Sequence, residues 1–138
     1  MKVLNLTFSK KIGIEKSSKN DFLLQLPFSE KVQNHLNTVH GSASYALAEI
    51  SSGYFLSLNF ADIADQTIPI LRSSCMKYKK SGDSNLYSKA KLKENTVEDI
   101  LLQLQFKRKA FFTIEVKLYN EVNQLVVIGE FEWFVTMR

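Results

Sequence analysis

A chain of 138 residues is long enough to bury one proper core and too short to build two. With 45% hydrophobic and 23% charged residues it reads as an ordinary soluble globular chain, and no apolar run approaches the length of a membrane span. The net charge is +4, and the one cysteine, Cys75, excludes an intrachain disulfide and a cysteine-built metal site, so a reducing cytoplasm is the expected location.

Taken in order, residues 1–20 are a mixed lead-in to a single domain over 1–138. Charges interrupt this stretch too early for a secretory signal. Phe22, Leu24, Leu26 and Phe28 alternate with less apolar neighbours, and Pro27 closes the run, which predicts a first strand. Ser29 to Val39 is a connecting loop that carries Asn34 and His35. A long apolar helix is expected from about Ser42 to Leu58, with Gly41 at its entrance. At 3.6 residues per turn Ala43, Ala46, Leu47, Ile50 and Tyr54 form one stripe. Glu49, the single acid of that helix, lies roughly 100° from the middle of the stripe, on the side of Ser42, Tyr45 and Gly53. It faces neither the centre of the core nor open water by necessity.

After the helix the period changes to two. Ile68 to Lys79 reads as a strand, with Pro69 near its start, where a missing N–H does least harm. Ser81 to Asn85 is a turn. Leu86, Ser88, Ala90 and Leu92 then alternate with Tyr87, Lys89, Lys91 and Lys93. Thr96 is the expected N-cap of a short helix that spaces Val97, Ile100, Leu101 and Leu104 on one face. Two long strands follow, one through Phe112, Ile114, Val116 and Leu118, the other from Leu125 to Val135, joined by a loop at 120–124. The pattern predicts an α+β domain, a mostly antiparallel sheet covering one buried helix.

The basic residues are unevenly spread. Seven stand between Arg72 and Lys93 against one acid, Asp83, and Lys107-Arg108-Lys109 follows. Such a stretch suits a phosphorylated ligand or an anionic surface, and a solvated strand face explains it equally well. Strong salt-dependent binding of DNA or RNA would be its mark if nucleic acid were the partner. There is no Gly-rich phosphate loop, no CxxC, no HExxH and no G-x-S-x-G elbow. Serine nucleophile chemistry is therefore not expected, nor is any metal or redox cofactor.

The ordered spacing Asn34, His40-Gly41 and Glu49 resembles the N-x5-H-G-G-x7-[DE] signature of hotdog-fold thioesterases, particularly the phenylacetyl-CoA thioesterase type. Phe8 to Glu15 (FSKKIGIE) looks like that family's F-x-x-x-L-G-I opening. Tyr78-Lys-Lys-Ser-Gly82 sits where the family has an aromatic-x-[KR]-P-A turn. The resemblance covers roughly residues 8 to 136. It departs from the family at Ser42, where a second glycine is usual, and at Lys80-Ser81, which replaces Pro-Ala.

The resemblance implies a hotdog fold, a curved antiparallel sheet wrapped around one long helix, and hydrolysis of an acyl-CoA. Glu49 would be base or nucleophile, the Gly41 or Ser42 N–H would polarise the thioester carbonyl, and Asn34 would position the acyl group or the water. His40 would shape the loop and donate hydrogen bonds. Lys79 and Lys80 would hold the CoA phosphates, and Ser73 or Thr67 would supply a strand hydroxyl near the acid. The family's sites lie between subunits, which implies a homodimer or a dimer of dimers, with Glu49 of one subunit facing Asn34 and Gly41 of the other. CoA enters only as part of the substrate, and neither nucleic acid nor membrane is an expected partner. A hotdog protein that binds acyl-CoA or acyl-carrier-protein without turnover is the alternative. Tyr54, Phe55 and Leu56 are candidates to line a pocket for an aliphatic or an aromatic acyl group, and the sequence does not choose between them.

Overall fold

The computed structural model describes residues 2–138. Six strands form one antiparallel sheet in the order β1 (Glu15–Lys16), β2 (Leu24–Leu26), β4 (Leu86–Leu92), β5 (Lys109–Tyr119), β6 (Leu125–Met137) and β3 (Thr67–Tyr78). A short helix, α1 (Thr7–Ile12), precedes the sheet. The long helix α2 (Gly41–Asn59) packs across β4, β5 and β6, and α3 (Val97–Lys107) is inserted between β4 and β5. This is the helix-in-a-sheet arrangement that the alternation and the motif predict.

The core forms between α2 and the inner face of the sheet. Leu24, Leu47, Leu86, Ile114, Leu118 and Phe131 are fully buried there. Each such side chain contributes about 1.5–3 kcal/mol by leaving water. α3 adds Ile100 and Leu104, and its Thr96–Asp99 capping box closes the first turn as expected from Thr96.

Three features depart from the sequence reading. The lead-in is partly ordered, as α1 and the two-residue edge strand β1, so the sheet has six strands rather than five. α2 is buried over far more than one stripe: Ser44, Ala48, Ser51, Ser52 and Gly53 are covered as well. Tyr54, placed on the stripe, is only half-buried. Small side chains let the sheet curl closely round the helix, which a one-stripe pattern cannot reveal.

The buried serines make directed contacts. Ser51 Oγ donates to Ser88 Oγ (2.7 Å), which accepts the Leu24 N–H (3.1 Å). On the next position Ser52 Oγ donates to the Glu49 carbonyl (2.7 Å) and accepts the Trp133 Nε1–H (3.1 Å). Two polar links thus tie the middle of α2 to the sheet.

β3 is an edge strand of twelve residues, paired only with β6. Most of it is exposed, including Ile68, Ile70 and Tyr78. Opposite Met76, Gly129 has no room for a Cβ, which would stand 2.7 Å from the Met76 sulfur. On the outer face of the sheet the strand lysines meet acids: Lys93 pairs with Glu130 (2.5 Å), and Lys91 and Lys117 both approach Glu115 (3.8 and 3.7 Å). Two of the seven basic residues of that stretch, Lys91 and Lys93, are therefore solvated strand-face lysines with local partners. No helix among the described residues is long and apolar enough to cross a membrane.

Candidate functional site

The start of α2 is built by the loop before it. Asn34 organises that loop: its Oδ1 accepts the Leu36 and Thr38 N–H groups (2.9 and 3.1 Å), and its Nδ2 donates to Thr38 Oγ1 (2.9 Å). One amide hydrogen of Nδ2 is left over. Val39 N–H donates to Gly82 O (2.7 Å), which ties the loop to the turn after β3. His40 is the N-cap: its Nδ1 accepts the Ser42 N–H (2.9 Å), and its carbonyl takes the Ala43 and Ser44 N–H groups (2.9 and 3.0 Å).

That accounting leaves one donor over. The Gly41 N–H has no acceptor among the described residues, at the helix end where the backbone dipoles favour negative charge. Gly41 lines a pocket of about 330 Å3 together with Asn34, Thr38, Tyr78, Lys79 and Lys80. Tyr78 OH closes one wall by donating to the Gly41 carbonyl (3.4 Å). Its lining thus brings together a residue with a free N–H, an asparagine with a spare amide hydrogen and two lysines. Every one of these suits an anion or a developing oxyanion.

Glu49 stands eight residues further along α2, about 12 Å from Gly41 at 1.5 Å per residue. It is half-buried, and burial alone pushes its carboxyl above the ordinary glutamate value. No cation or hydrogen-bond donor among the described residues relieves it. One turn before it, Tyr45 OH is hydrogen-bonded to Ser74 Oγ (2.9 Å). Ser73 turns its hydroxyl to Glu132 (3.3 Å) instead. A bulge in β3 between Leu71 and Ser73 shifts the alternation, so that Ser74 meets the helix. Thr67 is buried at the start of β3 and donates to Ile63 O (3.2 Å).

Within the single chain, therefore, Asn34, Gly41, Lys79 and Lys80 come together in one pocket. His40 caps the helix beside it and Ser42 is exposed in the first turn. Glu49 and Ser73 stand apart from that pocket. The residues without a role in the sequence reading are Tyr45, Ser74 and Tyr78, the last matched only as the aromatic of a turn. A tyrosine before the two lysines was visible in the sequence; the bulge that selects Ser74 left no signal.

The cap itself is testable. His40→Ala lowers stability by about 1 kcal/mol, since the Ser42 N–H loses its acceptor, and His40→Asn restores most of it. Chemical denaturation of the two variants checks this, and equal loss in both would show that the imidazole acts through packing instead.

Among known families, one described as a domain of unknown function (DUF4442) matches residues 6–135. No curated protein matches the chain. A protein of unknown function from Pseudomonas aeruginosa (PA5026), described as a probable thioesterase, superposes with a TM-score of 0.84. It is 16% identical and the match covers 99% of this chain and 91% of that one. A thioesterase from Staphylococcus aureus (SAV0944) gives a TM-score of 0.71 at 16% identity, covering 95% of this chain and 99% of its own. Two structures of that protein carry alanine, one for a glutamine at position 32 of that chain and one for a glutamate at position 47, fifteen residues later. The BH2602 protein from Bacillus halodurans, crystallised with CoA, gives 0.71 at 22% identity, covering 93% of this chain and 74% of that one. At such identities the likeness establishes the fold. It is a hotdog.

Proposed function

We propose that this chain, which belongs to the DUF4442 family, is an acyl-CoA thioesterase whose site is completed by a second copy. The observation that carries the reading is a pair of unsatisfied groups on one helix: the free Gly41 N–H and the desolvated, unpartnered Glu49 carboxylate. Thioester hydrolysis requires a donor for the oxygen that becomes negative and a base for the attacking water.

In this reading the thioester carbonyl accepts the Gly41 N–H. Glu49 takes a proton from water as its oxygen attacks the acyl carbon, or attacks that carbon itself to form an anhydride that water then opens. The C–S bond breaks, the CoA thiolate takes up a proton, and the carboxylic acid is released. Asn34 places the acyl group or the water with its spare amide hydrogen. Lys79 and Lys80, on the same pocket as Gly41, hold the CoA phosphates as point charges.

Two observations support the second copy. Glu49 and Gly41 of one chain are about 12 Å apart along the helix, too far to flank a single carbonyl carbon. β3 also presents a long unpaired edge with exposed Ile68 and Ile70. In the proposed two-fold pairing along that edge the two α2 helices run antiparallel, and the reading requires Glu49 of the partner subunit to come against Gly41. On the choice of residues, Asn34 and Glu49 are fifteen apart, as are the two substituted positions of the Staphylococcus aureus thioesterase.

The deciding experiment is release of free CoA over a panel of short, medium, long and aromatic acyl-CoAs, with sedimentation run alongside. Turnover by a dimer or larger assembly is the expected result. A folded, assembled protein that binds acyl-CoA and releases none would replace the hydrolase with a carrier.

A further inference from the structure

A second cavity lies at the other end of α2, and it is chemically unlike the first. It occupies about 510 Å3 between the C-terminal half of α2, the 3-10 turn Ala61–Gln66, α3 and the ends of β3, β5 and β6. Leu56, Phe60, Ile100, Leu104, Phe112 and Trp133 supply much of its wall. The uncharged polar side chains in or behind the wall are already committed, and the two charged residues on the lining, Asp65 and Arg138, are exposed. Thr67 Oγ1 donates to Ile63 O, Ser57 Oγ to Tyr54 O (2.7 Å), and Trp133 Nε1–H to Ser52 Oγ. An occupant that needs hydrogen bonds finds few here. A hydrocarbon loses nothing by entering.

Its place along the helix gives it a role. Gly53, on the wall, is one helical turn beyond Glu49 and beside Trp133, whose ring a Cβ at Gly53 would meet at 3.9 Å. Along α2 the order is thus the pocket with Lys79 and Lys80, then the carboxylate, then the apolar cavity. In a CoA thioester the acyl tail begins at the reacting carbonyl, so a cavity that starts one turn beyond the carboxylate is in place for the tail.

We infer that the cavity behind Glu49 is the acyl-chain chamber and that it takes a long aliphatic chain rather than an aromatic acyl group. The assignment rests on the thioesterase reading and deepens it. In the two-fold assembly the tail enters the chamber of the subunit that supplies Glu49, while the CoA lies on the subunit that supplies Gly41. Size separates the two acyl classes. A cavity of about 150 Å3 already accepts benzene, and scaling from its six carbons puts the chain here on the order of ten to twenty carbons. A phenylacetyl group would leave most of the space empty and its wall uncontacted. Of the three neighbours Tyr54, Phe55 and Leu56 that the sequence offered as lining, Leu56 is the one on this wall. α3 contributes Ile100 and Leu104, so this inserted helix forms part of the chamber that sets chain length.

The test compares dodecanoyl-, butanoyl- and phenylacetyl-CoA with wild type and with Ser57→Phe and Ala64→Trp, which fill the chamber from positions that are only half-buried. Wild type is expected to favour dodecanoyl-CoA in kcat/KM by about tenfold or more over each of the others. The variants should lower the dodecanoyl-to-butanoyl ratio by about 100-fold, the effect of denying a chain several methylenes of burial. Fluorescence of cis-parinaric acid, displaced by dodecanoate, reads the chamber without chemistry. Saturable binding to wild type, lost in Ala64→Trp, supports the assignment even if no acyl-CoA is hydrolysed, in which case the thioesterase reading alone fails. Hydrolysis that favours butanoyl- or phenylacetyl-CoA overturns the chamber and leaves the thioesterase standing. So does an absence of parinarate binding to wild type.

Discussion

Glu49→Gln is expected to lower kcat for acyl-CoA hydrolysis by about 1,000-fold, with KM changed only a few-fold. Glutamine keeps the shape of glutamate and cannot take a proton from water or attack a carbonyl. The defect therefore falls on the chemical step. In the proposed reaction the carboxylate works ionised, and burial has raised its pKa, so the acid limb of the wild-type pH profile should lie above the ordinary glutamate range. Stability gives an independent reading with the opposite sign of benefit. A carboxyl that binds its proton more tightly folded than unfolded stabilises the fold at low pH, and that contribution is lost as pH rises through the raised value. Glu49→Gln should accordingly melt higher than wild type at pH 8, and the gap should narrow on acidification. Thermal melts at several pH values beside the kinetics check both. Unchanged turnover in the variant across the whole acyl-CoA panel would remove Glu49 from the chemistry.

Gly41→Pro is the second substitution with a large effect, and the fold is ready to accept it. Gly41 is the first residue of α2, a position where proline is favoured. His40 already has φ −60° and ψ 138°, the extended geometry that a following proline demands. No protein hydrogen bond among the described residues is lost with the N–H, and a Cβ there meets the Tyr78 ring at an ordinary 3.8 Å. What disappears is the proposed oxyanion donor, so kcat should fall by about 100- to 1,000-fold while the melting temperature holds. Gly41→Ala, which keeps the N–H, should stay near wild type. Mixing the two inactive proteins then asks where the site lies. If it spans subunits, unfolding and reassembling Glu49→Gln with Gly41→Pro restores about a quarter of wild-type activity, since half the dimers are mixed and each has one intact site. A site within one chain recovers nothing.

Much of the fold was legible because its signals are local. The alternation from Phe112 to Leu118, the cap at Thr96 and the apolar stripe from Ala43 to Tyr54 each depend on a few neighbouring residues. The spacing from Asn34 to Glu49 was legible too, and the structure puts Asn34 and Gly41 on one pocket with Lys79 and Lys80. What escaped depends on partners distant in sequence. β1 has two residues and exists only through its pairing with β2. The bulge after Leu71 inverts which serine meets Tyr45, and a period-two reading cannot register one added residue. The apolar chamber is assembled from six separate segments, none of which looks unusual alone.

The serine links described in the middle of α2 bear on mechanical accuracy. Apolar contacts are nearly indifferent to a helix rolling about its own axis, since one greasy surface slides on another. Ser51 and Ser52, locked to Ser88 and Trp133, act as two keys in a shaft and leave a single angular setting. The side chain that benefits is Glu49, two and three residues away. Carried at a radius of about 6 Å, it would swing about 1 Å for a roll of about 10°. An error of that size is enough to cost a catalytic group about 100-fold. Tolerance, more than strength, is what these small hydroxyls set.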